Sequence, residues 1–219
     1  MRWRGRAASN ESISYQEWAR VINLRNGYAS VYASETDTQK AIVEQLTALD
    51  WCQSMRELFD IELSNLQTNC SDPPDIWVWY GENRLGVELV EFVDGDHLAR
   101  AKSRRPKNIE HPPVSLESPY SGKLFVDSQW TRNRFIEKLQ AVIANKSIRY
   151  TEKGVVIDVL LIHTDEPWLE AGNVELWLSD GLIVPPENIV AGYLMFSYRP
   201  GEKPGYPLFH IFGPHPQRD

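Results

Sequence analysis

Cysteine is scarce: the 219 residues hold two, Cys52 and Cys70, at no Cys-x-x-Cys or Cys/His spacing. That argues against a disulfide framework or a zinc ribbon and predicts two reduced thiols in a cytoplasmic protein. Long apolar runs are missing too. No stretch approaches the ~18 residues read as a membrane span, so no membrane partner is expected. The basic start, Met1-Arg-Trp-Arg-Gly-Arg6, leads into no apolar segment, which predicts no secretory signal. Positive charge is not in excess either: 23 lysines and arginines face 30 aspartates and glutamates, a net charge of −7. Binding of nucleic acid by bulk charge is thereby disfavoured, while a local basic groove remains open. No Gly-rich phosphate loop, no Gly-x-Ser-x-Gly elbow and no Cys/His pair suited to catalysis is found.

What is present is enough apolar material for a core. A hydrophobic fraction of 42% against 24% charged residues suits a packed domain, and the length suits one. Residues 1–34 read as a basic arm followed by a helix from Ser14 to about Asn26, with Ser14 and Glu17 at capping-box spacing. Residues 35–219 read as a single α/β domain. Its first helix is predicted from Glu35 to about Leu66, with a break near Asp50. Ile42, Leu46 and Leu49 form the expected apolar face, and Glu44 lies on the solvent side.

Two strands follow, Ile76–Tyr80 and Leu85–Val93, joined by the turn residues Gly81-Glu-Asn-Arg84. Residues 94–122 are rich in charge, proline and glycine, and Lys123–Asp127 is a candidate short strand. Trp130–Tyr150 reads as a helix. Val155–His163 is almost purely apolar, as a strand buried on both faces requires. A weak helix within Glu170–Asp180 and strands at Ile189–Tyr198 and Tyr206–Phe212 complete an α/β pattern with a mixed sheet flanked by helices.

The chemistry concentrates on the hairpin. Antiparallel pairing sets Asp75, at the start of the first strand, opposite the far end of the second, where Glu88 lies. Glu88 has apolar or small neighbours on both sides, and a carboxylate buried there needs a partner. Two carboxylates are suitable hard ligands for Mg²⁺ or Mn²⁺. Glu91 is a third candidate ligand, although strand alternation turns it away from Glu88. Asp94, Asp96 and His97 follow as a candidate second metal site. On the later helix, Phe135, Leu139, Val142, Ile143 and Tyr150 share one stripe, and Lys146 falls inside it. A lysine there either snorkels from the last turns or reaches the carboxylates. His163 ends the buried strand near the same edge, while His210 and His215 suit packing or surface roles.

Pro74-Asp75 and Gly86-Val87-Glu88, thirteen residues apart, resemble the core motif of the PD-(D/E)XK nuclease superfamily. The resemblance covers roughly residues 35–165. It implies a restriction-endonuclease-like three-layer core, Mg²⁺ or Mn²⁺ held by Asp75 and Glu88, and metal-dependent hydrolysis of nucleic acid. The family's lysine two residues after the second carboxylate is Val90 here. Some branches carry that lysine, or a Gln-x-x-x-Tyr motif, on the following helix, and Lys146-Ser-Ile-Arg-Tyr150 is similar to both. The resemblance therefore implies Lys146 and Tyr150 as catalytic partners of Asp75 and Glu88. It further implies DNA rather than RNA as partner, and a homodimer. Arg100, Lys102, Arg104, Arg105 and Lys107 form the candidate phosphate-binding stretch, to which Arg132, Arg134 and Lys138 could add. The alternative expectation is a nuclease-fold module that binds or assembles without cutting, which Val90 and the negative net charge favour.

Overall fold

The computed structural model describes residues 36–69, 73–95, 130–166, 169–199 and 205–216. Its first element, helix α1 (Asp37–Phe59), begins where the Thr36 side chain accepts a hydrogen bond from the Gln39 amide at 3.2 Å. It runs without a break past Asp50 and ends where Asp60 turns into the left-handed region at φ 55°. The helix therefore stops short of the expected Leu66. Residues 61–63 lie outside any helix or strand instead, and Ser64–Thr68 form an edge strand, β1. Ile61, Leu63 and Leu66 pack into the same apolar cluster as Trp51 and Met55 of α1, so tertiary contacts override the helical spacing.

The buried face of α1 also differs from the expected one. Val43, Thr47, Ala48, Trp51, Ser54 and Met55 are buried, whereas Leu49 is 46% exposed. Trp51 is a larger apolar anchor than any of the aliphatic set read from spacing, and the face that buries it buries Met55 one turn on, both fully.

Strands β2 (Ile76–Tyr80) and β3 (Asn83–Glu91) form the expected hairpin, with Ile76 opposite Val87 and Tyr80 opposite Asn83. Helix α2 (Arg132–Lys153) then crosses to β4 (Ile157–Thr164), which lies parallel to β3. A short helix α3 (Ala171–Leu178) precedes β5 (Ile189–Phe196), parallel to β4, and β6 (Leu208–Phe212) returns antiparallel. The six strands lie in sequence order across one mixed sheet.

Strand alternation then assigns the faces. Val87, Leu89, Val159, Leu161 and Tyr193 pack with Trp51 and Met55 of α1. Leu160, Ile162 and Leu194 point the other way, onto Phe135, Leu139 and Ile143 of α2 and Val174 of α3. Helices thus cover both faces, and β4 is buried along nearly its whole length, as its apolar run predicts. The N-terminal helix Ser14–Asn26, the strand Lys123–Asp127, Asp96, His97 and the basic stretch Arg100–Lys107 lie outside the described residues. Among the described residues no helix is long and apolar enough to cross a membrane.

Candidate functional site

Asp75 is held by its own loop. The Leu89 amide donates to Asp75 Oδ2 at 2.9 Å, the Asn69 amide donates to the Asp75 carbonyl at 2.8 Å, and Asn69 Nδ2 donates to the Pro74 carbonyl at 2.8 Å. Pro74 in turn lies over Gly86 of β3. A Cβ at that position would stand 2.9 Å from Pro74 Cγ and 3.1 Å from Trp77 Cζ3, so glycine is what lets the proline close down. The hairpin register, carried one residue past Ile76 and Val87, sets Asp75 across from Glu88.

Glu88 alternates with Val87 and Leu89 and so faces α2. There the Lys146 ammonium donates to Glu88 Oε1 at 2.6 Å and approaches the Leu89 carbonyl at 3.4 Å. Lys146 does not turn out to solvent: its side chain is 17% exposed, and that of Glu88 is 2% exposed. Tyr150, one turn further along α2, is fully buried, with Lys146 Nζ 5.9 Å from its ring centre. The Tyr150 hydroxyl and Glu88 Oε2 are both buried without a well-formed hydrogen bond among the described residues. Burial, then the Glu88 carboxylate beside it, holds the Tyr150 phenol well above its ordinary range.

The same two influences act on Asp75. Burial first, then the charges of Glu88 and Glu44, push its carboxyl up to about 7, against the pull of the Leu89 amide and Lys146. Glu44 is the residue that sequence reasoning misplaced. It is buried on α1, bonded to Lys40 at 3.2 Å, and close enough to Asp75 to raise its affinity for a proton. The signal was its place beside Val43 and one turn before Ala48, on the stripe that Trp51 anchors.

Glu91 is buried too, but alternation puts it on the α1 face with Leu89, opposite Glu88, where it pairs in register with His163. Asp94 does not stand as a metal ligand: its carboxylate meets Arg134 and Lys138, the latter at 2.9 Å, and its amide donates to Glu166. Arg134 and Lys138 are accordingly engaged within the fold, and Arg132 pairs with Asp180, rather than standing ready for phosphate. Among the described residues, no group of three or more His, Cys, Asp or Glu side chains stands close enough to hold a metal ion. The donor set brought together is therefore the pair Asp75 and Glu88. A carboxylate pair in which Asp75 is pushed toward protonation is what a divalent cation would relieve, and two hard oxygens suit Mg²⁺ or Mn²⁺.

Comparison with protein-family models, curated proteins and solved structures finds no match to this chain.

Proposed function

We propose that this chain is a Mg²⁺- or Mn²⁺-dependent phosphodiesterase acting on nucleic acid, DNA before RNA, built on a restriction-endonuclease-like core. Support for the core comes from the order α1, β1, β2, β3, α2, β4, with a hairpin feeding a parallel crossover. The observation that carries the activity is the 2.6 Å contact from Lys146 to Glu88. It brings a cation from α2 to the carboxylate where β3 itself offers only Val90.

In this reading Asp75 and Glu88 hold the cation. When bound, the metal supplies an activated water and offsets charge on the phosphate. The protein's own part is positional and electrostatic. Leu89 and Asn69 fix Asp75, and the buried pairing with Glu88 fixes the lysine ammonium at the edge where a phosphate would lie. Tyr150 keeps its proton and offers a neutral hydroxyl beside Glu88. A homodimer acting on two strands and the basic stretch Arg100–Lys107 as phosphate contact belong to the same proposal.

The test is cleavage of plasmid and oligonucleotide with Mg²⁺ or Mn²⁺. Asp75→Asn and Glu88→Gln are each expected to lower the rate by about 100-fold or more, the scale of removing a group that stabilises charge at a reacting centre. Undiminished cleavage by both variants would overturn the site.

A second reading, a binding or assembly module that does not cut, is favoured by one feature. Glu88 is already closed on Lys146, and a protonated Asp75 leaves that pair neutral without a metal. Absence of both cleavage and calorimetric metal binding in the wild type would select it.

A further inference from the structure

The hairpin presents a second surface on the same side of the sheet as Glu88. Strand alternation sends Ile76, Val78 and Tyr80 toward α1, so Trp77 and Trp79 of β2 share the opposite face with Arg84, Gly86 and Glu88 of β3. The core beneath α2 and α3 does not extend to that end of the sheet. Among the described residues, its apolar cluster takes none from β1 or β2, and neither tryptophan joins the core on either side. Both indoles are half-buried, and Arg84 is exposed. Tryptophan at such a place suits an interface rather than a core.

The Arg84 side chain is held by stacking. Its register partner is Trp79, yet its guanidinium lies over Trp77, 4.1 Å from the ring centre. It therefore leans two positions along the strand, toward Glu88. Trp77 in turn rests against Gly86, where a Cβ would stand 3.1 Å from Trp77 Cζ3. Stacking on an aromatic face orders a guanidinium while leaving its N–H donors at the rim. Arg132, Arg134, Lys138 and Lys146 each meet a carboxylate. Arg84 meets none among the described residues. An ordered arginine with unused donors, on a chain of net charge −7, suits an anion from outside.

Position fits that anion to a nucleic-acid backbone. Gly86, beneath the stack, precedes Glu88 by two residues on one strand, ~7 Å at ~3.4 Å per residue. One strand of duplex DNA rises ~3.4 Å per nucleotide. A strand with its scissile phosphate at Glu88 thus passes the guanidinium about two nucleotides on. We infer that Arg84, stacked on Trp77, is a backbone-phosphate contact for the bound strand. This rests on the nucleic-acid reading of Asp75 and Glu88 and extends it, by giving the strand a path across β3 toward β2.

The experiment follows the anisotropy of a fluorescein-labelled DNA duplex against salt, with Ca²⁺ in place of Mg²⁺, for the full chain as wild type, Arg84→Gln and Arg56→Gln. Arg56 is an exposed arginine of α1, on the other side of the sheet, and controls for the loss of one positive charge. Arg84→Gln is expected to weaken binding about tenfold, alike for unrelated sequences, and to reduce the slope of log K against log salt by about 0.9, the share of one phosphate. Arg56→Gln is expected to leave the slope unchanged. An unaltered slope and affinity in Arg84→Gln would overturn the inference, even in a protein that cuts DNA at the carboxylate pair. An equal fall in Arg56→Gln would overturn it too, by showing bulk charge alone. A wild type that binds no duplex, with a sedimentation mass that drops in Arg84→Gln, would overturn it by marking a contact between copies of the chain. A lowered slope confined to Arg84→Gln, in a protein that cuts nothing, would keep the phosphate contact and sink the nuclease.

Discussion

Asp75 is the residue at which burial and charge conflict most sharply. Its folded-state carboxyl, pushed up to about 7, holds a proton that an unfolded aspartate releases near 3.8. Between those values the folded chain binds more protons than the unfolded one, so stability in metal-free buffer falls as pH rises from about 4 through about 7. Asp75→Asn removes that component. We expect the variant and the wild type to have similar urea midpoints at pH 4, and the variant to be more stable at pH 8 by up to about 4 kcal/mol. Taking the difference between the two proteins cancels most other titrations. Equal midpoints at both pH values would contradict the raised carboxyl.

Lys146 carries the complementary prediction. Lys146→Met strands Glu88 as an unpaired buried charge and is expected to cost about 3–5 kcal/mol, whereas Glu88→Gln with Lys146→Met should recover most of it in a urea double-mutant cycle.

These residues were legible in the sequence because each carried a local anomaly: a carboxylate after two prolines, a glutamate with apolar neighbours, a lysine within an apolar helical stripe. Glu44 was not, since its burial depends on which way Trp51 and Met55 rotate α1. Asp94 looked like a ligand because its partners, Arg134 and Lys138, lie some forty residues away in the chain.

At the scale of elements, α2 is positioned from several directions. Asp94, fully buried just past β3, grips Arg134 and Lys138 on its first turns. Gln140 exchanges hydrogen bonds with the Val184 backbone at 3.1 and 2.8 Å, and Ser147 bonds Asn188 at 2.7 Å. The helix thereby arrives at Glu88 with Lys146 aimed inward. Asp94→Asn is expected to cost about 3 kcal/mol or more by thermal or urea unfolding, by leaving two cations around a neutral amide, and to lower any cleavage rate by shifting Lys146. A fully stable variant would show that the clamp does not position the helix.

Strand β5 gives a simpler case. A Cβ on Gly192 would come within 2.5 Å of the Phe212 ring, so Gly192→Ala forces that buried ring out of its place against β5. We expect a loss of about 1–3 kcal/mol, read as a lower melting temperature. The hairpin, α2, β4 and β5 were readable because each carries its own periodicity. β1 was not: five residues, Ser64-Asn-Leu-Gln-Thr68, become a strand only through pairing with β2.

Over the whole molecule, the sheet brings two distant segments to one edge. Residues 73–91 supply the carboxylates, and α2 delivers its cation 58 residues after Glu88. The sequence order of helix, hairpin, helix and buried strand made the α/β class readable, while the layering on two faces needed the contacts themselves.

The most direct measurement compares metal-dependent cleavage by the wild type, Lys146→Met, and Val90→Lys with Lys146→Met, with circular dichroism to verify that each is folded. We expect Lys146→Met to lose cleavage and the double variant, with a lysine placed on β3 two residues after Glu88, to regain part of it. Cleavage by Lys146→Met at the wild-type rate would contradict the assignment of Lys146 to the site.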